Sequence, residues 1–116
     1  MRYLICVVMM ASVLAGQTPP QSTPAPAGNA ENGKKLFLEK GCFQCHDTLG
    51  QGGDGPRLAP RPIPYAAFTK ELRQPRDQMP PYTAKMMPDK EIADIYAFLM
   101  ARPAPPEVNS IPLLNR

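Results

Sequence analysis

Cys42, Cys45 and His46 stand together in "KGCFQCHDTLG", residues 40–50. His46 is the single histidine of the 116-residue chain, and the two thiols are two of its 3 cysteines. Residues three apart on a helical segment lie on neighbouring turns, so both sulfurs face one object. Three chemistries use such a pair: a redox dithiol, part of a zinc site, or covalent haem attachment. The spacing C-x-x-C-H is a signal for the last of these. There each sulfur forms a thioether with a former vinyl group at the porphyrin edge, and the following histidine points its ring at the iron.

Each chemistry needs a different supporting cast. A structural zinc site wants four Cys or His ligands. Apart from Cys6, which lies in an apolar N-terminal run, this chain offers Cys42, Cys45 and His46 alone. A thioredoxin-like dithiol sits at a helix start after a strand, and no segment here alternates as a strand should. A haem needs a second axial ligand. Bis-histidine ligation within the chain is excluded, which leaves methionine, the soft neutral ligand that raises the potential. Met79, Met86, Met87 and Met100 are the candidates beyond the N-terminal run. Met100 falls near the end of a helix and reads as packing; Met86 and Met87 immediately precede that helix. Met79 lies in "QMPPY", a proline-braced loop able to lie against a flat cofactor. Gap-filling is the usual work of a methionine, but an iron with one known ligand needs another, and Met79 is the choice.

The elements that must position these residues are helical. Asn29 is a good N-cap for "AENGKKLFLEK", with Glu31 early and Lys40 late as the helix dipole favours. Gly33, Leu36, Phe37 and Lys40 fall at helical spacing. Gly33 inside a helix costs ~1 kcal/mol against Ala, which points to close approach of another backbone. Gly41 suits the C′ stop. A middle helix is expected over "PYAAFTKELR", with Pro64 at N1 and Pro75 beyond its end; Tyr65, Phe68 and Leu72 share one face. The clearest helix is Pro88 to Arg102, with Ile92, Ile95, Tyr96 and Leu99 as its apolar stripe, acidic residues at its start and Arg102 at its end. Residues 48–64 read as loop, and prolines 75, 80 and 81 forbid a long helix between 74 and 87. The expected fold is all-α, with three main helices and long loops.

Composition bounds the rest. A net charge of +3, with scattered rather than clustered charges, does not suggest nucleic acid. With 16 Pro and no Trp, the small core is marginal alone, so a cofactor as staple is plausible. Residues 1–16, "MRYLICVVMMASVLAG", combine Arg2, an apolar run and a small-residue end. They read as an export signal, with an uncleaved anchor as the alternative, because the run is shorter than the ~20 residues of a membrane span. Residues 17–28 are a Pro-rich linker, 29–103 the domain, and 104–116 a C-terminal tail. Export places the protein in the periplasm, with membrane contact only if the first segment is retained.

Across residues 32–102 the chain resembles a class I cytochrome c. The segments "NGKKLFLEKGCFQCH", "GPRL", "MPPY" and "EIADIYAFL" occur in that family's order. The resemblance implies one covalently attached haem c, with Cys42 and Cys45 as thioether residues and His46 and Met79 as axial ligands. It implies that the Pro56 carbonyl accepts from the other ring nitrogen of His46, that Leu58 walls the haem, and that Gly33 and Phe37 meet Ile95 and Phe98. Gly41 adds a residue between Phe37 and Cys42 relative to the mitochondrial spacing. With both iron faces ligated, the expected function is one-electron transfer rather than catalysis. Its partners would be a membrane oxidoreductase complex, an oxidase or a dehydrogenase. A small-molecule-binding haem domain and a haem-free thiol oxidoreductase are the competing readings. Arg57, Arg61, Arg73, Tyr65 and Tyr82 are candidate propionate contacts, and Lys34, Lys35, Lys40 and Lys85 a candidate basic docking face.

Overall fold

The computed structural model describes residues 24–114. The export-signal reading and most of the linker therefore lie outside the described residues. Four helices follow in order: α1 (Ala30–Glu39), α2 (Phe43–His46), α3 (Tyr65–Arg73) and α4 (Asp89–Met100). Two 3₁₀ turns, Val108–Ser110 and Pro112–Leu114, lie in the tail. Among the described residues there is no strand, and the architecture is all-α.

α1 begins as its sequence dictates. The Asn29 side chain accepts from Asn32 N–H at 2.9 Å, which satisfies one of the first-turn donors that have no helical partner. Its end is a two-bond motif around Gly41, whose φ of +80° belongs to the left-handed region. Gly41 N–H donates to Leu38 O and Cys42 N–H to Phe37 O, both at 3.1 Å. This is the Schellman pattern. It hands the chain directly from α1 into α2 with Cys42 as the receiving residue.

α1 packs chiefly on α4. A Cβ at Gly33 would fall inside the Asp94 carbonyl, so the glycine is there because the two backbones touch. Phe37 and Phe98 meet beside this crossing with ring centroids 5.6 Å apart. Gly28 makes a similar approach to the Ala93 carbonyl, so the end of the linker runs along α4 and order starts before the cap. Asp94, which the sequence did not single out, locks the same junction. Its buried carboxylate accepts from Asn29 N–H at 2.7 Å and Asn32 Nδ2 at 2.8 Å. These bonds, with Lys90 close by, hold its pKa below the usual carboxylate value.

α4 is wrapped from several sides. Ile92, Ile95, Tyr96 and Leu99, the expected stripe, are all buried, and so are Ala93, Asp94 and Phe98. The extra burial has identifiable causes: α1 covers one side, α3 sets Tyr65 and Phe68 edge-on to Tyr96 at 5.2 and 5.3 Å, and Gly50 backs onto Leu99. The helix limits shift slightly from expectation. Pro64 and Pro88 stand at the N-cap positions of α3 and α4 rather than inside them. Arg102 lies past the end of α4, over the Phe98 ring at 6.0 Å. Met87 is completely buried in the core, whereas Met100, expected to pack, is half exposed.

Candidate cofactor site

The Schellman turn sets up α2. Gln44 N–H donates to Gly41 O at 3.1 Å, and His46 N–H to Cys42 O at 3.0 Å. This single turn carries Cys42, half-buried, Cys45, exposed, and His46, buried. Burial pushes the Cys42 thiol pKa up, and the Tyr82 hydroxyl beside it pulls the other way.

The Gly-rich loop after α2, whose role the sequence left open, folds back beneath the histidine. Gly52 N–H donates to His46 O at 3.0 Å and Gly55 N–H to Cys45 O at 2.8 Å. His46 Nδ1 then lies 2.8 Å from Pro56 O. A carbonyl only accepts, so Nδ1 carries the proton and Nε2 of the neutral ring keeps its lone pair. Gly55 is the residue sequence reasoning missed here: a Cβ at that position would stand 2.8 Å from His46 Cε1. Its place immediately before Pro56 was the available signal. Leu58 continues the wall, half-buried against the core, with its N–H on Gly50 O at 2.8 Å.

Met79 is half-buried and packs against the core, as do Cys42, Leu49, Leu58 and Tyr82. The loop that carries it is held by its neighbours. Tyr82 N–H donates to Leu72 O, its carbonyl accepts from Arg73 Nη1, and its hydroxyl donates to Lys40 O, each at 2.8 Å. Burial and the facing Cys42 push the Tyr82 pKa up to about 12. Arg73 continues to Asp89 at 2.6 Å, and Lys40 Nζ reaches Met86 O at 2.6 Å and Glu91 at 2.8 Å.

These contacts redistribute the surface groups named from sequence. Arg73, Tyr65 and Tyr82 bond to protein, the Tyr65 hydroxyl to Asp89 O at 3.4 Å. Arg57 Nε donates to Gln51 O at 3.2 Å. Lys40 is a strut between α1 and α4 rather than a docking cation, and Lys35 pairs with Glu39 at 3.7 Å. Arg61 borders a cavity of about 380 Å³ with Pro24, Tyr65, Tyr96 and Met100; none of the proposed haem residues lines it.

The donors fit a c-type haem. A histidine with Nδ1 committed to a main-chain oxygen, two cysteines on the same turn, and a thioether among half-covered apolar side chains are the groups such a cofactor takes. Among the described residues no cluster of three or more His, Cys, Asp or Glu is placed to hold a bare metal ion.

Helices without strands around a C-x-x-C-H turn define a small class I c-type cytochrome. Residues 28–99 match the family model described as cytochrome C oxidase, cbb3-type, subunit III, and the chain belongs to that family. It is 26% identical over 97 residues to cytochrome c-555 of Methylococcus capsulatus (strain ATCC 33009 / NCIMB 11132 / Bath), covering 80% of this chain and 79% of that protein. The crystal structure of cytochrome cL from Hyphomicrobium denitrificans shares the fold, with a TM-score of 0.51 at 20% identity, over 78% of this chain and 66% of that one. The c-type cytochrome NirC is 26% identical, with a TM-score of 0.48, over 60% of this chain and 86% of that one. The protein is thus an electron-carrying haem protein with covalently bound haem c, working with redox partners.

Proposed function

We propose that the chain is an exported mono-haem electron carrier with His46 and Met79 as axial ligands and no catalytic activity of its own. Cys42 and Cys45 form the two thioethers. The haem supplies the one-electron exchange of its iron between Fe(III) and Fe(II). His46 offers Nε2, and Pro56 O holds its tautomer and ring direction, which strengthens the ligand. The half-buried Met79 thioether would be the second iron ligand, and Leu58 would help to exclude water. With both ligands supplied by the chain, no position would remain for a substrate. The partners are a membrane oxidoreductase complex, an oxidase or a dehydrogenase in the periplasm. Export rests on residues 1–16; among the described residues no helix is long and apolar enough to cross a membrane.

The observation that carries this reading is the 2.8 Å contact between His46 Nδ1 and Pro56 O on the turn that bears both thiols. The test is the protein exported in a host with haem-attachment machinery. Its intact mass should show one haem and loss of the first segment. Its oxidised spectrum should carry a sulfur-to-iron charge-transfer band that Met79→Ala abolishes while the haem stays attached. Rapid carbon monoxide binding by the reduced wild type, or no covalent haem, would overturn it.

A further inference from the structure

We propose that Tyr82 is the positioning residue that sets how firmly Met79 is held on the iron, by tying the Met79 loop to the chain just before Cys42. The inference rests on the His46/Met79 ligation above. Tyr82 commits all three of its polar groups to different places: its N–H to Leu72 O, its carbonyl to Arg73, and its hydroxyl to Lys40 O. Lys40 lies two residues before Cys42, so the hydroxyl joins the Met79 loop directly to the covalent anchor. The far end of the same loop is held by the same residue, through Lys40 Nζ and Met86 O at 2.6 Å.

The link from Tyr82 back to Met79 is stiff. Pro80 and Pro81 lie between them, and each ring fixes its own φ. A residue before proline is confined to extended backbone, which applies to Met79 and to Pro80. Fixing Tyr82 therefore confines Met79, although Tyr82 itself need not touch the sulfur. Arg73 extends the tie to Asp89 at the start of α4, so the clamp draws on three elements.

The test uses the ferric holoprotein and free imidazole, which competes with Met79 for the iron. The readout is loss of the charge-transfer band as imidazole is added. In Tyr82→Phe, imidazole should bind about three- to tenfold more tightly than in wild type, the equilibrium effect of one lost part-buried hydrogen bond. Arg73→Met, which removes the second tie, should shift affinity in the same direction. Asp94→Asn, which weakens the α1–α4 junction away from this loop, should leave imidazole affinity unchanged even though it lowers the melting temperature. The proposal is overturned if both clamp variants stay within about 1.5-fold of wild type, or if Asp94→Asn shifts affinity as much as they do; should Tyr82→Phe fail to take up haem, Arg73→Met decides. A wild type without the band sinks the ligation itself, whereas a band present with unshifted clamp variants sinks only the role of Tyr82.

Discussion

On the Cys42–Pro56 side the polar ties are short in sequence, and most are main-chain. Cys42 hangs from Phe37 O, His46 from Cys42 O, Gly52 from His46 O and Gly55 from Cys45 O, and the side-chain tie from His46 to Pro56 spans only 10 residues. On the Met79 side the ties are mainly side-chain and longer: Tyr82 to Lys40 spans 42 residues and Lys40 to Met86 spans 46. The first region assembles from one stretch of chain. The second exists only when α1, α3 and α4 are already packed. Forcing α1 and α4 apart should therefore loosen Met79 before it loosens His46, whereas losing one bond of a junction that stays packed should loosen neither.

The largest expected effect probes the local region. Cys42→Ser combined with Cys45→Ser should reduce covalent haem below detection by intact mass, since no helix packing substitutes for the sulfurs. Next, Gly33→Leu forces a side chain into the Asp94 carbonyl. It should lower stability by about 3 kcal/mol in denaturant melts, and the charge-transfer band should vanish while the attached-haem mass persists. If band and mass disappear together, the two regions are not separable. Gly55→Ala acts on the other side, placing a methyl 2.8 Å from His46 Cε1. A loss of about 1–2 kcal/mol is expected, with the ring pushed off Pro56 O and a shifted imidazole Nδ1 proton resonance as the marker.

Acid should weaken the α1–α4 junction at Asp94, away from the Met79 loop. The folded pKa of Asp94 is depressed, so its contribution is complete above the unfolded carboxylate value of about 3.9 and fades as pH falls through the lower folded value. With Lys90 screening one oxygen, Asp94→Asn should cost about 1–2 kcal/mol at pH 7. The difference from wild type should shrink below about pH 4; a constant difference down to pH 2 would remove the carboxylate from the account. The smallest effects separate two lysines. Lys40→Met should cost about 1 kcal/mol, because its pair with Glu91 is largely covered, whereas Lys35→Met in its exposed pair should stay within about 0.5 kcal/mol.

What the sequence made legible follows the same division. Asn29, Gly33, Gly41 and the Ile92–Leu99 stripe each express a rule that acts within a few residues, and the structure places all of them as expected. The Pro56 contact came through family resemblance, since nothing in the spacing of His46 and Pro56 dictates it. Asp94 and Tyr82 were not legible in their actual roles. Asp94 sat among apolar residues of a helix and finds its partners 62 and 65 residues away; no local periodicity encodes such a pairing. Lys40 illustrates the opposite error, a surface-looking cation that folding turns inward.

The Pro56 carbonyl carries a consequence for speed. A ligand braced by a main-chain oxygen has no partner rotamer to rearrange, unlike one braced by a carboxylate or hydroxyl side chain. Under the proposed ligation, the surroundings of His46 need scarcely move when the charge beside it changes by one. The barrier to gaining or losing an electron should then be low on this side, and whatever nuclear motion accompanies the exchange should be concentrated around Met79.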